Sequence, residues 1–217
     1  TVATSTYSIN ATSDAEVNGT LDASSGGNQW FDSLTIQATG TYTATSENTT
    51  ISGVGVSSYN AVLYVGGTFD NNTGTFVFNH QDSGSYRSNL GYEESNGGQL
   101  HNVIVDTNGI QSFEANTVIT GNLTVDAGTA QTNNAAWTWD ITGDVVVNSG
   151  GTLGAASRSA DYSFGSLTIN SGGTYSATNG TTTITDENPS GYAFVNDGTF
   201  THNSGTVTIT TDANTYL

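Results

Sequence analysis

The amino-acid sequence predicts an all-β protein, a parallel β-solenoid with coils of about 22 residues. Three observations lead to this prediction. Short segments recur at a constant spacing, apolar and polar residues alternate within them, and the composition favours strands and turns over helices. The 217 residues include 27 glycines and one proline. The chain is also rich in threonine, serine and asparagine, which favour short strands joined by tight turns.

The constant spacing is clearest in three similar segments that begin at Gly121, Gly143 and Gly165. They read Gly-Asn-Leu-Thr-Val, Gly-Asp-Val-Val-Val and Gly-Ser-Leu-Thr-Ile, and the two steps between them are equal. The polar residues that follow the three strands are predicted to stack at one corner of successive coils: Asp126, Asn148 and Asn170. A β-sandwich, the alternative fold, also has short strands with regular turns, but it does not require a constant spacing.

A longer duplication is consistent with the same coil length. Residues 33–45 match residues 166–178 at nine of 13 positions. Further along, Gly-Thr-Phe at residues 67–69 recurs at residues 198–200. Because the offset between the first pair of segments is close to six of the predicted coils, we expect the two copies to lie a whole number of coils apart.

Alternation within the strands predicts which side chains form the core. Every second residue of a strand faces the same side, so the apolar residues face inward and threonine or serine faces outward. We predict two adjacent inward columns, Leu123, Val145 and Leu167 beside Val125, Val147 and Ile169. One coil buries too little to offset its ordering entropy, whereas stacked coils share a continuous core. About ten such coils give a rod about 45 Å long.

We expect a single solenoid domain over residues 1–217, in a processed chain or a fragment, because residue 1 is not methionine. Residues 79–99 interrupt the coil pattern with a polar stretch and two glycine-rich turns. We expect this segment to protrude from the rod as a loop, and loops of this length are often functional. Residues 131–139 and 154–163 are predicted to be smaller elaborations of the coils.

The charge of the chain restricts its partners. Nineteen acidic residues against two basic ones give a formal net charge of −17. Such a surface repels nucleic acids and anionic membranes, so we expect no nucleic-acid partner. No apolar run approaches the length of a membrane span, and we expect no membrane insertion. Cysteine is absent, which excludes disulfides and thiolate metal sites.

Two segments resemble the repeats of known β-solenoid surface proteins. They read Ser-Leu-Thr-Ile-Asn-Ser-Gly-Gly-Thr-Tyr at residues 166–175 and Asn-Asp-Gly-Thr-Phe-Thr-His-Asn-Ser-Gly-Thr-Val at residues 196–207. Similar repeats form adhesin and autotransporter passengers of bacteria and structural or fibre proteins of marine bacteriophages. The resemblance implies an extracellular, cell-surface or virion protein, acting as a rod, decoration, fibre or filament subunit, with other protein subunits as partners. It concerns scaffold positions only, so no catalytic residue follows from it.

Aromatic residues at strand ends and in the interrupted regions are the candidate binding groups, because their rings can stack on sugars. Together with one neighbouring cation, the candidate ligand-binding residues are Tyr86, Arg87, Tyr92, Trp137, Trp139 and Tyr162. Glycans are the expected ligands. The alternative for the same rings is to fill the core or cap the coils, and the alternation of Trp137 and Trp139 places both indoles on one side of the chain, inward or outward.

A glycan-cleaving enzyme with paired carboxylates is the alternative function. Its candidate acids are Asp82, Glu93 and Glu94 in the long loop and Asp140 with Asp144 further along. We instead expect solvated surface acids and no catalytic residue. Polysaccharide lyases commonly need basic residues to stabilise the developing anion, and this chain has two arginines and no lysine.

Metal and ice binding complete the candidate functions. His80, His101 and His202 are widely spaced, so we expect them at the surface or in turns rather than on a metal. We expect no cofactor, and calcium bridging by loop carboxylates is left open. Threonines alternate in three segments, residues 41–45, 181–185 and 206–210. Regular outward threonines on a flat solenoid can bind ice, although threonine is also a good exposed strand residue.

Overall fold

The computed structural model describes residues 2–3, 8–53, 61–89, 99–134, 136–154, 159–212 and 214–216. Within these residues the protein is all-β, with parallel strands and no helix. The strands are β1 (Val2–Ala3), β2 (Asn10–Val17), β3 (Thr20–Asp22), β4 (Gln29–Ile36), β5 (Thr41–Thr43), β6 (Asn48–Ile51), β7 (Leu63–Val65), β8 (Thr68–Asp70), β9 (Thr75–Phe78), β10 (Ser85–Asn89), β11 (Asn102–Phe113), β12 (Thr117–Ile119), β13 (Leu123–Thr132), β14 (Trp139–Val147), β15 (Gly151–Leu153), β16 (Tyr162–Ile169), β17 (Thr174–Ser176), β18 (Thr181–Ile184), β19 (Tyr192–Asn196), β20 (Thr199–Thr201), β21 (Thr206–Ile209) and β22 (Asn214–Tyr216). The described part of the chain accordingly contains no helix that could span a membrane.

The strands stack into a parallel β-solenoid, as predicted. The solenoid has three faces. Face 1 is one ladder of ten segments: residues 10–11, 29–31, 48–51, 75–78, 102–105, 123–125, 145–147, 167–169, 194–196 and 214–216. Face 2 contains residues 14–17, 33–36, 63–65, 85–89, 110–113, 127–132, 151–153, 174–176 and 199–201. Face 3 has two ladders, one from β1, β3, β5 and β8, the other from β12, β21, β18 and the first halves of β14 and β16.

The constant spacing holds in the central coils and changes elsewhere. Along face 1, Thr124, Val146 and Thr168 are successive, equally spaced Cα partners. The step from Thr50 to Val77, in contrast, is longer. Strands must stay in register to pair, whereas corners can absorb extra residues. Because several coils exceed the regular length, the spacing of about 22 residues is an average and not a constant of the whole chain.

Both predictions for the central coils are confirmed. The two inward columns consist of successive Cα partners that are at most 1% exposed: Leu123, Val145 and Leu167, and Val125, Val147 and Ile169. At the corner, Asn148 Nδ2 donates a hydrogen bond to Asp126 Oδ1 at 2.6 Å. Asn170 Nδ2 donates in turn to Asn148 Oδ1, also at 2.6 Å. The corner is therefore a side-chain ladder beside the backbone ladder.

The duplicated sequence forms two structural units with the same strand order. The first unit, residues 29–78, contains β4 to β9, and the second, residues 162–209, contains β16 to β21. One tight corner of each unit has positive φ angles at two adjacent residues: Asn72 (45°) and Thr73 (57°), and Asn203 (48°) and Ser204 (66°). This backbone conformation is uncommon outside glycine, so its recurrence shows that the units share corner geometry as well as strands.

The two units are not a whole number of turns apart, which corrects the expectation from the offset between the duplicated segments. Six steps between Cα partners along face 1 lead from Phe31 to Ile169. The residue that matches Phe31 in sequence is instead Phe164, which lies before Ile169 in the same strand, on face 3. The second unit is therefore rotated by one face about the solenoid axis. Pairing between neighbouring coils sets the register, so distant copies need not align.

Part of the predicted loop at residues 79–99 is a strand. Ser85–Asn89 forms β10, which pairs with β7 on one side and with β11 on the other. Its sequence is polar because the residues that face the core are Tyr86 and Ser88 instead of aliphatic ones. Residues 90–98 lie outside the described part of the chain, so the prediction of a protruding loop is not tested there.

Candidate functional site

The connections from face 2 to face 3 meet at one corner of the solenoid, which we call the loop edge. Its described residues are 114–116, 133–134, 136–138, 154 and 159–161. Backbone hydrogen bonds join neighbouring levels of this edge, from Glu114 N to Ser88 O at 2.8 Å and from Asn133 N to Phe113 O at 3.1 Å. Insertions after equivalent strands of a solenoid lie on the same side. The elaborations predicted from sequence therefore share one edge.

An ion pair and an amide connect three levels of the loop edge. Arg87 Nη1 lies 3.0 Å from Glu114 Oε1, and Asn133 Nδ2 donates to the same oxygen at 2.7 Å. The Arg87 side chain is 44% exposed and that of Glu114 is 15% exposed. An exposed pair of this kind adds little stability, about 0–1 kcal/mol. The Arg87 guanidinium has five N–H donors, and its contact with one carboxylate oxygen leaves other donors available for a ligand.

Trp137 lies in the same edge, in the connection between β13 and β14. Its backbone N–H donates to Asn134 O at 3.4 Å, and the backbone N–H of Thr138 donates to Asn116 Oδ1 at 3.0 Å. The first bond closes a turn within the connection, and the second fixes the connection against the neighbouring level. Trp137 is partly exposed, and an indole ring is a group that stacks on apolar or sugar surfaces.

Trp139 and Tyr162 do not lie on a binding surface, which corrects their prediction as ligand-binding residues. Each is 1% exposed and faces the core from face 3, where the two are Cα partners. Their rings stack with centroids 5.4 Å apart, and Phe113 packs edge-on against Trp139 at 5.6 Å. The Tyr162 hydroxyl shares a hydrogen bond with Thr132 Oγ1 at 3.1 Å. Strand alternation points both rings inward, so they fill the core behind the loop edge.

Tyr86 faces the interior but remains partly exposed. Its hydroxyl donates a hydrogen bond to the Asp82 carboxylate, and its ring lies 4.4 Å from the ring of His80. Burial, together with the bond to Asp82 and its negative charge, raises the pKa of Tyr86 to about 12. The Asp82 carboxylate also accepts the backbone N–H of Gly84 at 2.9 Å. Tyr86 and Asp82 therefore hold the turn before β10, while Tyr92 lies outside the described residues.

His80 is buried, and the prediction of a surface or turn histidine is wrong for it. The side chain is 0% exposed; Nδ1 lies 2.7 Å from Gly53 O and Nε2 lies 3.1 Å from Gln111 Oε1. Gln111 Nε2 donates to Ser88 Oγ at 2.9 Å. Burial lowers the pKa of His80, although its hydrogen bonds oppose that change. We call His80, Gln111 and Ser88 the His80 network.

Strand periodicity contains the signal that locates His80. Phe76 and Phe78 face inward from β9, and both are 0% exposed. Continuing the alternation to the next position of the same parity places His80 on the inward side as well. Histidine is a polar residue type and suggested a surface position for His80. The period-2 alternation of the strand predicts its burial correctly.

Two of the candidate catalytic acids, Asp82 and Asp144, accept hydrogen bonds from neighbouring residues of the solenoid. Asp144 Oδ1 accepts the Ser166 hydroxyl at 2.7 Å. In the first unit the residue that matches Ser166 is Ser33, whose hydroxyl donates to Asp14 Oδ1 at 2.6 Å. The recurrence indicates a structural bond between neighbouring coils. Asp140 is exposed on face 3, and Glu93 and Glu94 lie outside the described part of the chain.

The other two histidines have local partners. His101 Nδ1 lies 3.0 Å from Thr120 Oγ1, and His202 Nδ1 accepts the backbone N–H of Ser204 at 3.1 Å. Within the residues that the structure describes, no group of three or more histidine, aspartate or glutamate side chains could hold a metal ion.

A regular column of threonines runs along face 2 where the sequence did not predict one. Thr129, Thr152, Thr174 and Thr199 are successive Cα partners, and their side chains face outward. They were missed because they are separated by whole coils rather than by one intervening residue. In the predicted segments, Thr206, Thr208 and Thr210 are exposed, Thr181 and Thr183 are partly buried, and Thr45 is buried. The Thr185 and Thr210 hydroxyls bond backbone carbonyls.

No protein-family model matches this chain, and no curated protein or solved structure shows significant similarity to it.

Proposed function

We propose that this chain is a rigid structural or adhesive module of a cell surface or virion, which acts by presenting its loop edge and performs no catalysis. The supporting observation is the separation between scaffold and edge. The three faces are paired strands over a continuous core. The exposed cation Arg87, on β10, pairs with Glu114 of the loop edge, and the partly exposed Trp137 belongs to that edge.

The chemistry of the loop edge favours a neutral glycan as its ligand. An indole ring stacks on the apolar side of a sugar, and the neighbouring carboxylate, amide and guanidinium groups can bond hydroxyls in fixed directions. The net charge of −17 opposes anionic glycans, nucleic acids and anionic membranes. The other partners of the module are protein subunits of the assembly that displays it, outside the cell or on a virion.

Titration with a panel of neutral, basic and acidic polysaccharides, followed by calorimetry, tests this function. We expect neutral glycans to bind, and both Trp137→Ala and Arg87→Gln to weaken binding about tenfold or more, which is about 1.4 kcal/mol. Trp30→Ala is the matched control, because Trp30 is 38% exposed but lies on face 1, away from the loop edge. Equal loss in the control would place the binding site elsewhere.

The same samples separate binding from turnover. We expect no new reducing ends and no unsaturated products after incubation with the polysaccharides. Product formation that is lost in Asp82→Asn or Glu93→Gln would overturn the non-catalytic function and favour a glycan-cleaving enzyme instead.

The threonine column favours ice binding as a second candidate function. Four outward threonines at the regular spacing of stacked coils, about 4.8 Å, form a repetitive row of hydroxyl groups. Thermal hysteresis of the purified chain, lost in Thr152→Lys and Thr174→Lys but kept in the loop-edge variant Trp137→Ala, would establish it. Absence of hysteresis in the wild-type chain would exclude it.

A further inference from the structure

The His80 network has a pattern of donors and acceptors that depends on the protonation of His80. His80, Gln111 and Ser88 are each 0% exposed, so their polar atoms depend on one another and on nearby backbone groups for hydrogen bonds. His80 Nδ1 lies 2.7 Å from Gly53 O, and a backbone carbonyl can only accept. Nδ1 therefore carries a proton, and the protonation of Nε2 decides how the rest of the network is bonded.

Doubly protonated His80 fits the observed positions of its neighbours directly. Its Nε2–H group donates to Gln111 Oε1, which lies 3.1 Å away. The Gln111 amide nitrogen has two N–H groups, of which one donates to Ser88 Oγ at 2.9 Å and the other to Ser112 O at 3.3 Å. Every N–H group of the imidazolium ring and of the amide then has an acceptor, which is the condition under which a protein interior holds a charge.

Neutral His80 requires a different arrangement of the same groups. With its one ring proton on Nδ1, Nε2 is an acceptor that faces a second acceptor, Gln111 Oε1. A half-turn of the amide exchanges its oxygen and nitrogen without changing its shape, so that Gln111 donates to Nε2. The amide oxygen then faces Ser88 Oγ, whose hydroxyl group turns to donate. The neutral arrangement gives up the bond from Gln111 to Ser112 O.

The groups around the ring act on its charge in opposite directions. The titratable side chains that face His80 come from two strands and a turn: Asp32 of β4, Tyr86 of β10 and Asp82 of the turn before β10. β9 and β11 contribute Phe78 and Gln111. Gly53 leaves room for Asp32, because a Cβ atom there would lie 1.8 Å from Asp32 Oδ1. Burial lowers the pKa of His80, and the two carboxylates oppose this change.

We propose that the His80 network is a pH-sensitive switch with two hydrogen-bonded states. When Nε2 takes up a proton from solvent, the Gln111 amide makes a half-turn and the Ser88 hydroxyl changes from donor to acceptor. The core stays closed, and the N–H bond is the only covalent bond that forms. The switch extends from Gly53, after β6, to Ser88 on β10, next to Arg87. It requires no ligand at the loop edge.

Nuclear magnetic resonance of the isotope-labelled wild-type chain, from about pH 8 to about pH 4, tests the switch. The ring signals of His80 are identified by their loss in His80→Gln. At the upper end of the range we expect the ring proton on Nδ1 and none on Nε2. At the lower end both ring nitrogens should be protonated in a chain that is still folded. The side-chain amide signals of Gln111 should shift with the same midpoint, because the amide turns when the proton binds.

Substitutions of Gln111 should move the midpoint of the His80 titration in opposite directions. Gln111→Glu supplies a group that only accepts and is negatively charged, so it should raise the midpoint by about one pH unit or more. Gln111→Leu offers no acceptor to Nε2–H and should lower the midpoint. Gln131→Glu is the matched control, because Gln131 follows the inward Ala130 on the neighbouring coil and faces outward; it should leave the midpoint nearly unchanged. A variant that fails to fold does not affect the wild-type titration.

Four results of the wild-type titration would each overturn the proposal. A neutral ring with its proton on Nε2 would mean that Gln111 keeps one orientation. Constant Gln111 amide signals while His80 titrates would mean the same. A chain that unfolds as His80 takes up its proton has no folded protonated state. The same conclusion follows if His80 stays neutral in the folded chain down to about pH 4.

Discussion

The regular coils at residues 121–170 and the longer coils at residues 76–113 have the same backbone ladder but different interiors. Along face 1 the inward residues of the regular coils are aliphatic, such as Val125 and Val147, both 0% exposed. The longer coils bury the His80 network at the same depth. Strand pairing is continuous through both regions. A solenoid therefore tolerates a polar interior where each buried polar group has a hydrogen-bond partner.

The polar interior coincides with extra chain length. Along face 1 the step from Ile51 to Phe78 and the step from Phe78 to Val105 are equally long. Both exceed the step from Val125 to Val147 in the regular coils. Behind face 1 the regular coils pack aliphatic side chains, whereas the longer coils add a directional network to the packing of their interior. The two regions should consequently differ in what disrupts them and in how they respond to pH.

The largest effect is expected for a charge in the regular core. Val147→Asp places a carboxylate between Val125 and Ile169, where no partner exists among the described residues. An isolated buried charge costs more than a small domain can offset, so the chain should be unfolded or insoluble. Val146→Asp, on the outward side of the same strand, should remain soluble. A soluble Val147→Asp chain with native circular dichroism would contradict the inward column.

A smaller but still large effect is expected in the longer coils. His80→Ala removes a buried ring and leaves Gln111 without one of its partners, and it should lower the free energy of unfolding by about 3 kcal/mol. The double variant His80→Leu with Gln111→Leu replaces both polar partners by apolar groups, so it should lose less than His80→Ala does. Urea denaturation measures both. Equal losses would mean that cavity formation, rather than the network, determines the cost.

The pH dependence of stability should come from the longer coils. Burial lowers the pKa of His80 below its ordinary value of 6.5. Below about pH 6.5 the unfolded state therefore binds a proton that the folded state resists, and the free energy of unfolding should fall as the pH decreases through the lowered pKa. The contribution is complete above the ordinary pKa. His80→Gln should remove this part of the pH dependence in urea denaturation, and an unchanged pH profile would show that His80 does not titrate on unfolding.

The contrast between the regions also explains what the sequence could predict. In the regular coils, period-2 alternation and the constant spacing were enough to place Val147 and Asn148. In the longer coils, polar residue types concealed the strand at residues 85–89 and the burial of His80. The one-face rotation between the units depends on the summed lengths of several corners, which local patterns do not fix. For the site, exposure of Arg87 and burial of Trp139 depend on which side of the chain faces the core.

The smallest effect concerns a bond that recurs at the start of the two duplicated units. Ser166 is 1% exposed, and its hydroxyl donates to Asp144; Ser33 is 0% exposed and donates to Asp14 in the equivalent place. Asp144→Ala leaves a buried hydroxyl without its acceptor, which should cost about 1 kcal/mol.

Because the local geometry recurs, Asp14→Ala should cost about the same, about 1 kcal/mol, even though Asp14 lies in the first coil and Asp144 in the regular core. The double variant Asp144→Ala with Ser166→Ala should recover most of the loss, since neither partner is then left unsatisfied. Urea denaturation of the four chains measures these differences. If Asp144→Ala lowers the free energy of unfolding several times more than Asp14→Ala does, the strength of the bond depends on the surrounding coils. The two units would then be equivalent in backbone structure but not in the energy of this bond.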